Sequence, residues 1–309
     1  MSVLAAGANF WRFQPHPEVW LLVASLAALS VYALRVVGPK VVPRGEPVAT
    51  RAQKAWWVGG LLLLWVASDW PLHDIGEEYL FSAHMVQHML FTYIIPPMIL
   101  MATPEWLARL VLGRGRAKQA FYFLARPVPA ALLFNGFLLL SHAPGVVDTA
   151  VQNPIVHYSI HTGLVTTALL MWMPVCGPLP ELRISYPAQM LYLFVISIVP
   201  TVPAAWLTFA DGVVYKAYDV PNRLWGISVT SDQQAAGAIM KLVGGSYLWL
   251  IITIRFFQWA SKFSDTDKAV DQVGPVHELT WDDVEREFDR HPAPAEPSRD
   301  HPAGGTPQS

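Results

Sequence analysis

Seven runs of mainly apolar residues, at about 18–37, 55–70, 81–102, 128–143, 155–175, 187–209 and 233–258, constrain this chain more than any other feature. A helix rises 1.5 Å per residue, so about 20 apolar residues cross the hydrocarbon core of a bilayer. No water is available there to pair with a bare backbone, which leaves helices as the economical way across. The expected fold is therefore all-α, a polytopic membrane bundle of about seven transmembrane helices spread over residues 1–261. The second and fourth runs are short for the task. Composition agrees, since 53% of the chain is hydrophobic and only 14% charged, against about 25% charged in soluble domains. The first run lacks a basic start and a small-residue cleavage site, so it is expected to be retained as a helix rather than removed as a leader.

The positions of Lys and Arg set the expected orientation. The connection after the first run holds Arg35, Lys40, Arg44, Arg51 and Lys54, and the one after the third holds Arg109, Arg114, Arg116, Lys118 and Arg126. Arg183 follows the fifth run, and Lys262 and Lys268 follow the seventh. The opposite side offers Arg12, Lys216 and Arg223, and the connections 71–80 and 144–154 have neither residue type. Basic loops stay in the cytoplasm, so the N-terminus is expected outside and the C-terminus inside. Residues 262–309 change character. Acidic residues outnumber basic ones, and Pro275, Pro292, Pro294, Pro297, Pro302 and Pro307 interrupt the chain. Such a tail cannot bury enough apolar area to fold alone and is expected to be disordered. One piece within it, Leu279 to Arg290, carries Leu279, Trp281, Val284 and Phe288 along one side of an amphipathic helix.

Against this topology the histidines segregate. His84 and His88 open the third run, His142 closes the fourth, and His157 and His161 open the fifth. All five fall near one face of the membrane, the outer one in the expected orientation. Residues i and i+4 leave a helix from one side, about 5–6 Å apart at Cβ. Each of the two pairs thus presents two imidazoles together. Neutral imidazole suits copper, zinc, iron and nickel. Cys176 is the only cysteine, which excludes an internal disulfide and any paired-thiolate metal site. His84, His88, His142, His157 and His161 are therefore the candidate metal ligands. His73, Asp232, Met85 and Met89 are weaker candidates. A single interfacial histidine such as His73 is more simply explained by packing or snorkelling. Asp232 can cap helix amides, and Met85 and Met89 project about 100° away from the paired histidines on a helix. Asp69, Asp74, Glu77, Glu78 and Asp148 lie on the same side and can orient imidazoles or add oxygen ligands. The alternative for the paired histidines is a polar network that ties helices together.

Other residues carry local expectations. Lys241 lies deep in the seventh run and is expected to snorkel or to pair with an acid such as Asp232. Asn135 can hydrogen-bond within the bundle. Pro200 and Pro203 should kink the sixth run. Tyr215 and Tyr218 read as interfacial anchors. Gly237, Gly244 and Gly245 allow helices to approach closely.

Taken together, Ser82-Ala-His84-Met-Val-Gln-His88-Met, His142-x-Pro144, His157 with His161, and Asp232-Gln233-Gln234-x-Ala236-Gly237 with Met240 resemble the multi-pass CtaG family of cytochrome c oxidase assembly factors. The likeness runs from about residue 55 to 258. It implies a multi-pass protein of the bacterial plasma membrane, required for maturation of a caa-type haem-copper oxidase. It further implies partners among the oxidase subunits or other assembly factors, besides the lipid bilayer, and no nucleic acid. The family's ordered histidines would be His84, His88, His142, His157 and His161, and a copper role is supposed for it.

Three functions remain open on the residues alone. The first is an assembly factor that binds copper through the histidine cluster. The second is a b-type haem protein, although partners four apart on one helix cannot occupy opposite sides of one iron. The third is a metal- or proton-coupled transporter, which would want ionisable groups through the midplane. No nucleophile arrangement is recognisable, so an enzyme is not expected.

Overall fold

The computed structural model describes residues 11–221, 223–272 and 280–290. It is all-helical, with no strand among the described residues. The chain divides into two compact units, Met1–Trp259 and Ala260–Ser309. In chain order the helices are α1 (Pro17–Val41), α2 (Arg51–Ser68), α3 (Leu72–Glu78), α4 (Phe81–Ala102), α5 (Glu105–Leu112), α6 (Arg116–Leu124), α7 (Pro127–Ser141), α8 (Pro144–Gln152), α9 (Pro154–Cys176), α10 (Tyr186–Thr208) and α11 (Val229–Phe263). The second unit contains α12 (Trp281–Arg290).

Five helices, α1, α4, α9, α10 and α11, are long and apolar enough to cross a membrane. A sixth span arises if α6 and α7, bent by 76° at their junction, are taken together. The short second run forms α2, whose first turn carries Arg51, Gln53 and Lys54 behind a capping box between Thr50 and Gln53. Those polar residues keep it out of the apolar set. The short fourth run forms α7, of 15 residues. Large apolar side chains such as Leu21, Leu132 and Leu191 are about two-thirds exposed. So much unpartnered apolar surface has bilayer lipid as its natural solvent.

Helix starts follow the sequence. Pro17, Pro127, Pro144 and Pro154 open α1, α7, α8 and α9, where a missing N–H removes no helical hydrogen bond. The Asn153 side chain accepts from the amides of Ile155 and Val156 and so caps α9. The start of α4 has no cap from its own chain neighbours. Asp232 of α11 supplies it, accepting from Phe81 N at 2.7 Å, from Ser82 N at 3.0 Å and from the Ser82 hydroxyl.

Two devices then lock α4 against its neighbours. Pro96 has no N–H to offer the Thr92 carbonyl, and α4 widens into a π turn over Leu90–Ile94 just before it. The freed Thr92 carbonyl accepts instead from the Trp172 indole of α9 at 2.9 Å. Gly244 of α11 lies where a Cβ would come within 3.0 Å of the Tyr93 ring and 3.1 Å of Met89 Sδ. The two histidine-bearing helices are thereby held in register, and the buried core around Phe81, Met85, Phe134 and Trp172 fills the space between them.

Several local expectations can now be placed. The α10 helix breaks at Val199–Pro200, as its prolines require. Lys241 donates to Thr201 Oγ1 at 2.6 Å across the α10–α11 contact, and its partner is a hydroxyl rather than Asp232. Gly237 packs against the Ala204 carbonyl, where a Cβ would stand 2.6 Å away, but Gly245 has open space and plays no such part. Tyr215 and Tyr218 are buried rather than interfacial, with Tyr215 Oη donating to the His142 carbonyl and Tyr218 Oη to that of Gly76. Asn135 is buried, and its side-chain oxygen has no hydrogen-bond partner among the described residues. The helix foreseen at Leu279 to Arg290 is α12, capped by Thr280 and Asp283. Its Trp281 and Phe288 are exposed. The expected disorder of the tail falls largely at 273–279 and 291–309, outside the described residues.

Candidate metal centre

The site is built where α3, α4, α7 and α9 meet. Their approach depends on Gly76, the residue before Glu77. A Cβ at this position would lie 3.0 Å from both the nitrogen and Cα of His84 and 2.8 Å from Gln87 Oε1. Only glycine lets the short α3 lie so close against α4, and this puts the Glu77 carboxylate over the histidines. The sharp return between the two helices ends with Asp232 capping α4, so the first turn of α4 is fixed at both its backbone and its side-chain face.

Both pairs present their imidazoles together, as their spacing requires. Ring centroids lie 4.4 Å apart for His84 and His88 and 4.4 Å apart for His157 and His161. Across the interface His161 stands 5.3 Å from His84 and 5.1 Å from His88. Two overlapping triads result. Ligand atoms of His84, His88 and His161 lie within 4.8 Å of one another, and so do those of Glu77, His157 and His161. A first-row metal bound at about 2 Å per nitrogen holds its ligands roughly 3.3 Å apart, so modest closure of either triad would suffice.

Hydrogen bonding within the cluster is incomplete among the described residues. His88 is buried, 5% exposed, and neither of its ring nitrogens has a hydrogen-bond partner among the described residues. The same holds for Nε2 of His161 and of His142. A buried imidazole nitrogen left unpaired is costly, and a network that existed to tie helices together would pair it. His142 lies 5.7 Å from His88 between ring centroids and belongs to neither triad. Its Nδ1 approaches the Leu138 carbonyl at 2.7 Å. A carbonyl can only accept, so Nδ1 carries the proton and the Nε2 lone pair remains free. A cavity of about 30 Å³ opens among His84, His88, His142, His157 and His161. It can take a water or an ion but not a porphyrin.

Glu77 ties the imidazoles together. Its Oε1 stands 2.7 Å from His157 Nε2, 3.5 Å from His84 Nδ1 and 3.9 Å from His73 Nδ1. Burial opposes its ionisation, but the close approach of the His157 and His84 imidazoles outweighs that and holds the carboxyl well below the usual carboxylate range. Burial favours the neutral His73 imidazole and pushes it down, against the pull of Glu77, which favours the protonated ring. His73 also meets Gln87 Nε2 at 3.3 Å and so sits beside the triads rather than in them.

Three weaker sequence candidates have other surroundings. Met85 and Met89 pack in the hydrophobic core. The Asp232 carboxylate is occupied by the start of α4. Two residues gain importance that sequence reasoning did not single out. Glu77 stood only among several nearby acids, and His16 was passed over. His16 precedes α1, yet its Nε2 lies 2.7 Å from Asp74 Oδ1 and its ring 5.0 Å from that of His73. The i,i+4 spacing of His73 and Glu77 is the signal that could have found Glu77. No local signal points to His16.

The comparisons with known proteins bear on this site. An uncharacterized protein of Mycobacterium bovis is 25% identical over 245 residues, covering 70% of this chain and 37% of its own length. One from Mycobacterium tuberculosis matches to the same extent. A third, from Mycobacterium leprae, is 24% identical over 268 residues, covering 81% of this chain and 39% of its own length. The chain thus spans less than two-fifths of the length of these curated relatives. No solved structure matches. Residues 28–262, which include α2 to α10 and every residue of both triads, match the family described as cytochrome c oxidase caa3 assembly factors. This helical membrane protein belongs to that CtaG family.

Proposed function

We propose that the protein binds copper through His84, His88 and His161, and that it presents this ion during maturation of the copper centre of a caa3-type oxidase. The observation that carries the reading is His88, buried with both ring nitrogens unpartnered beside two further imidazoles. The donors are all neutral nitrogen bases, which suit copper without any thiol redox chemistry. His142 keeps a free Nε2 within reach of the same cavity, and Glu77 offers a nearby negative charge to a cation. Bound copper would be cargo for the oxidase, and no enzymatic step is assigned to the chain.

The proposed setting is the plasma membrane of a bacterium, with seven spans if α2 crosses alongside the others. The distribution of Lys and Arg supports an outer N-terminus and a cytoplasmic C-terminus, so the histidine cluster would face the extracytoplasmic side. The acidic tail after residue 261 is proposed as a solvated appendage. The partner is an oxidase subunit or another assembly factor.

The test is retention of copper against a competing chelator. Metal-stripped protein reloaded with copper should hold at least one ion tightly, and the double variant His84→Ala/His88→Ala should surrender it. Equal retention by the variant and the unaltered protein would contradict the copper reading.

A further inference from the structure

The two triads share His161, and only one of them reaches toward the surface. A continuous series of ligating groups runs inward from the exposed Glu18 to the enclosed His88, with Glu77 more exposed than the histidines on either side of it. Glu18 is 52% exposed, His16 and His73 are 15%, Glu77 is 22%, and His157 and His84 are 9% and 10%. Beyond them lies His88, almost fully enclosed. Each member touches the next. His16 Nδ1 is 3.2 Å from Glu18 and its Nε2 2.7 Å from Asp74. The His16 ring abuts that of His73, and Glu77 Oε1 then bridges His73, His157 and His84. Asp74 is 5% exposed, and its second oxygen has no hydrogen-bond partner among the described residues. A simple latch between His16 and α3 would not leave a buried carboxylate oxygen unpaired.

Resting on the copper reading above, we infer that Glu77, His157 and His161 form a separate receiving position for the incoming cation, reached past His16, Asp74 and His73, and that the cation passes from it to His84 and His88 with His161 as a ligand throughout. The carboxylate belongs at the receiving end, because a negative charge draws in a cation and offsets the cost of stripping its water. The inner triad is all imidazole and buried, which suits retention. Exchange of one ligand at a time, with His161 retained, avoids a bare ion in a low-dielectric bundle. Of the residues at this mouth, His16 lies ahead of the region matched by the family, residues 28–262, and His73 and Asp74 lie within it.

The inference is tested by loading purified, metal-free full-length protein in detergent with copper(I) delivered from a coloured chelator. Rate and final affinity are read separately. Glu77→Gln should load about tenfold more slowly or worse, the scale on which local charge changes association rates, and His157→Ala should also load more slowly. His16→Ala should load more slowly while its final affinity stays unchanged. Glu78→Gln removes the same charge from an exposed neighbour and should load normally. His88→Ala should retain weak copper binding at the receiving position, and Glu77→Gln/His88→Ala should lose it. Wild-type loading rates in both Glu77→Gln and His157→Ala, or equal binding by His88→Ala and the double variant, would overturn the receiving position. The inner site would still stand if tight binding remained sensitive to His84 and His88. Unaltered protein that takes up no copper would overturn both readings.

Discussion

Gly76→Ala probes how the site is assembled without touching any candidate ligand. The added Cβ would stand 3.0 Å from the His84 backbone and 2.8 Å from Gln87 Oε1. Ordinary carbon contacts lie at about 3.5–4.0 Å, so α3 must retreat from α4 by about 0.5 Å or more. Neither backbone can yield by rotating a side chain. Glu77 moves with α3, and its 2.7 Å contact with His157 and 3.5 Å contact with His84 lengthen accordingly. Overpacking of this kind costs about 1–3 kcal/mol. Weakening a supporting carboxylate lowers metal affinity by about 10- to 100-fold. The expected result is a lower melting temperature together with slower and weaker copper uptake. Gly136→Ala is the control, because nothing lies within 4 Å of the added atom. It should be neutral or slightly stabilising, by up to about 1 kcal/mol, since alanine favours a helix interior. Unchanged copper uptake and stability in Gly76→Ala would refute the close-approach explanation of how Glu77 is placed.

Asp232→Ala leaves the buried amide of Phe81 and the partly buried amide of Ser82 without an acceptor, so it should destabilise the protein by about 1–3 kcal/mol for the buried group alone. Thermal unfolding in detergent checks this, and Asp232→Asn should recover part of the loss. Copper should raise the melting temperature of the unaltered protein, by the equivalent of about 2.7 kcal/mol at a free concentration one hundred times the dissociation constant. His88→Ala should forfeit most of that rise, and copper removal with a chelator should reverse it. Away from the site, hydrogen bonds from Arg109 and Tyr122 draw the Glu181 carboxyl down to about 2 from its ordinary 4.5. A lowered folded value means stability that is present above about pH 4.5 and lost as pH falls toward about 2. Melting curves across that window should show this acid-sensitive part vanish in Glu181→Gln. The effect should be small, because the pair is largely exposed.

The paired histidines were readable from the chain because helical periodicity alone makes His84 with His88, and His157 with His161, share a face. Apolar run length likewise identified α1, α4, α9, α10 and α11. What escaped depends on contacts between distant segments. Asp232 was readable as a helix cap, yet the helix it caps is α4, 150 residues earlier in sequence, rather than its own. Glu77 acquires its role only because Gly76 lets α3 fold back against α4. His16 reaches Asp74 across 58 residues, with no periodicity to announce it. The short runs at 55–70 and 128–143 sat at the margin of spanning length; α2 remains marginal because its first turn is polar, and α7 because it is short and meets α6 at a 76° bend, which hydropathy does not weigh. Tyr215 and Tyr218 looked like surface anchors since a loop position usually means exposure. Here their rings pack on Phe81 beside the site.

Anomalous diffraction at the copper absorption edge, from crystals of the copper-loaded protein, asks most directly whether these imidazoles hold a metal. The expected result is a single strong peak about 2 Å from nitrogens of His84, His88 and His161, absent in His84→Ala/His88→Ala. A peak at Met85 or Met89, or none near the three histidines in fully loaded crystals, would contradict the proposed copper site.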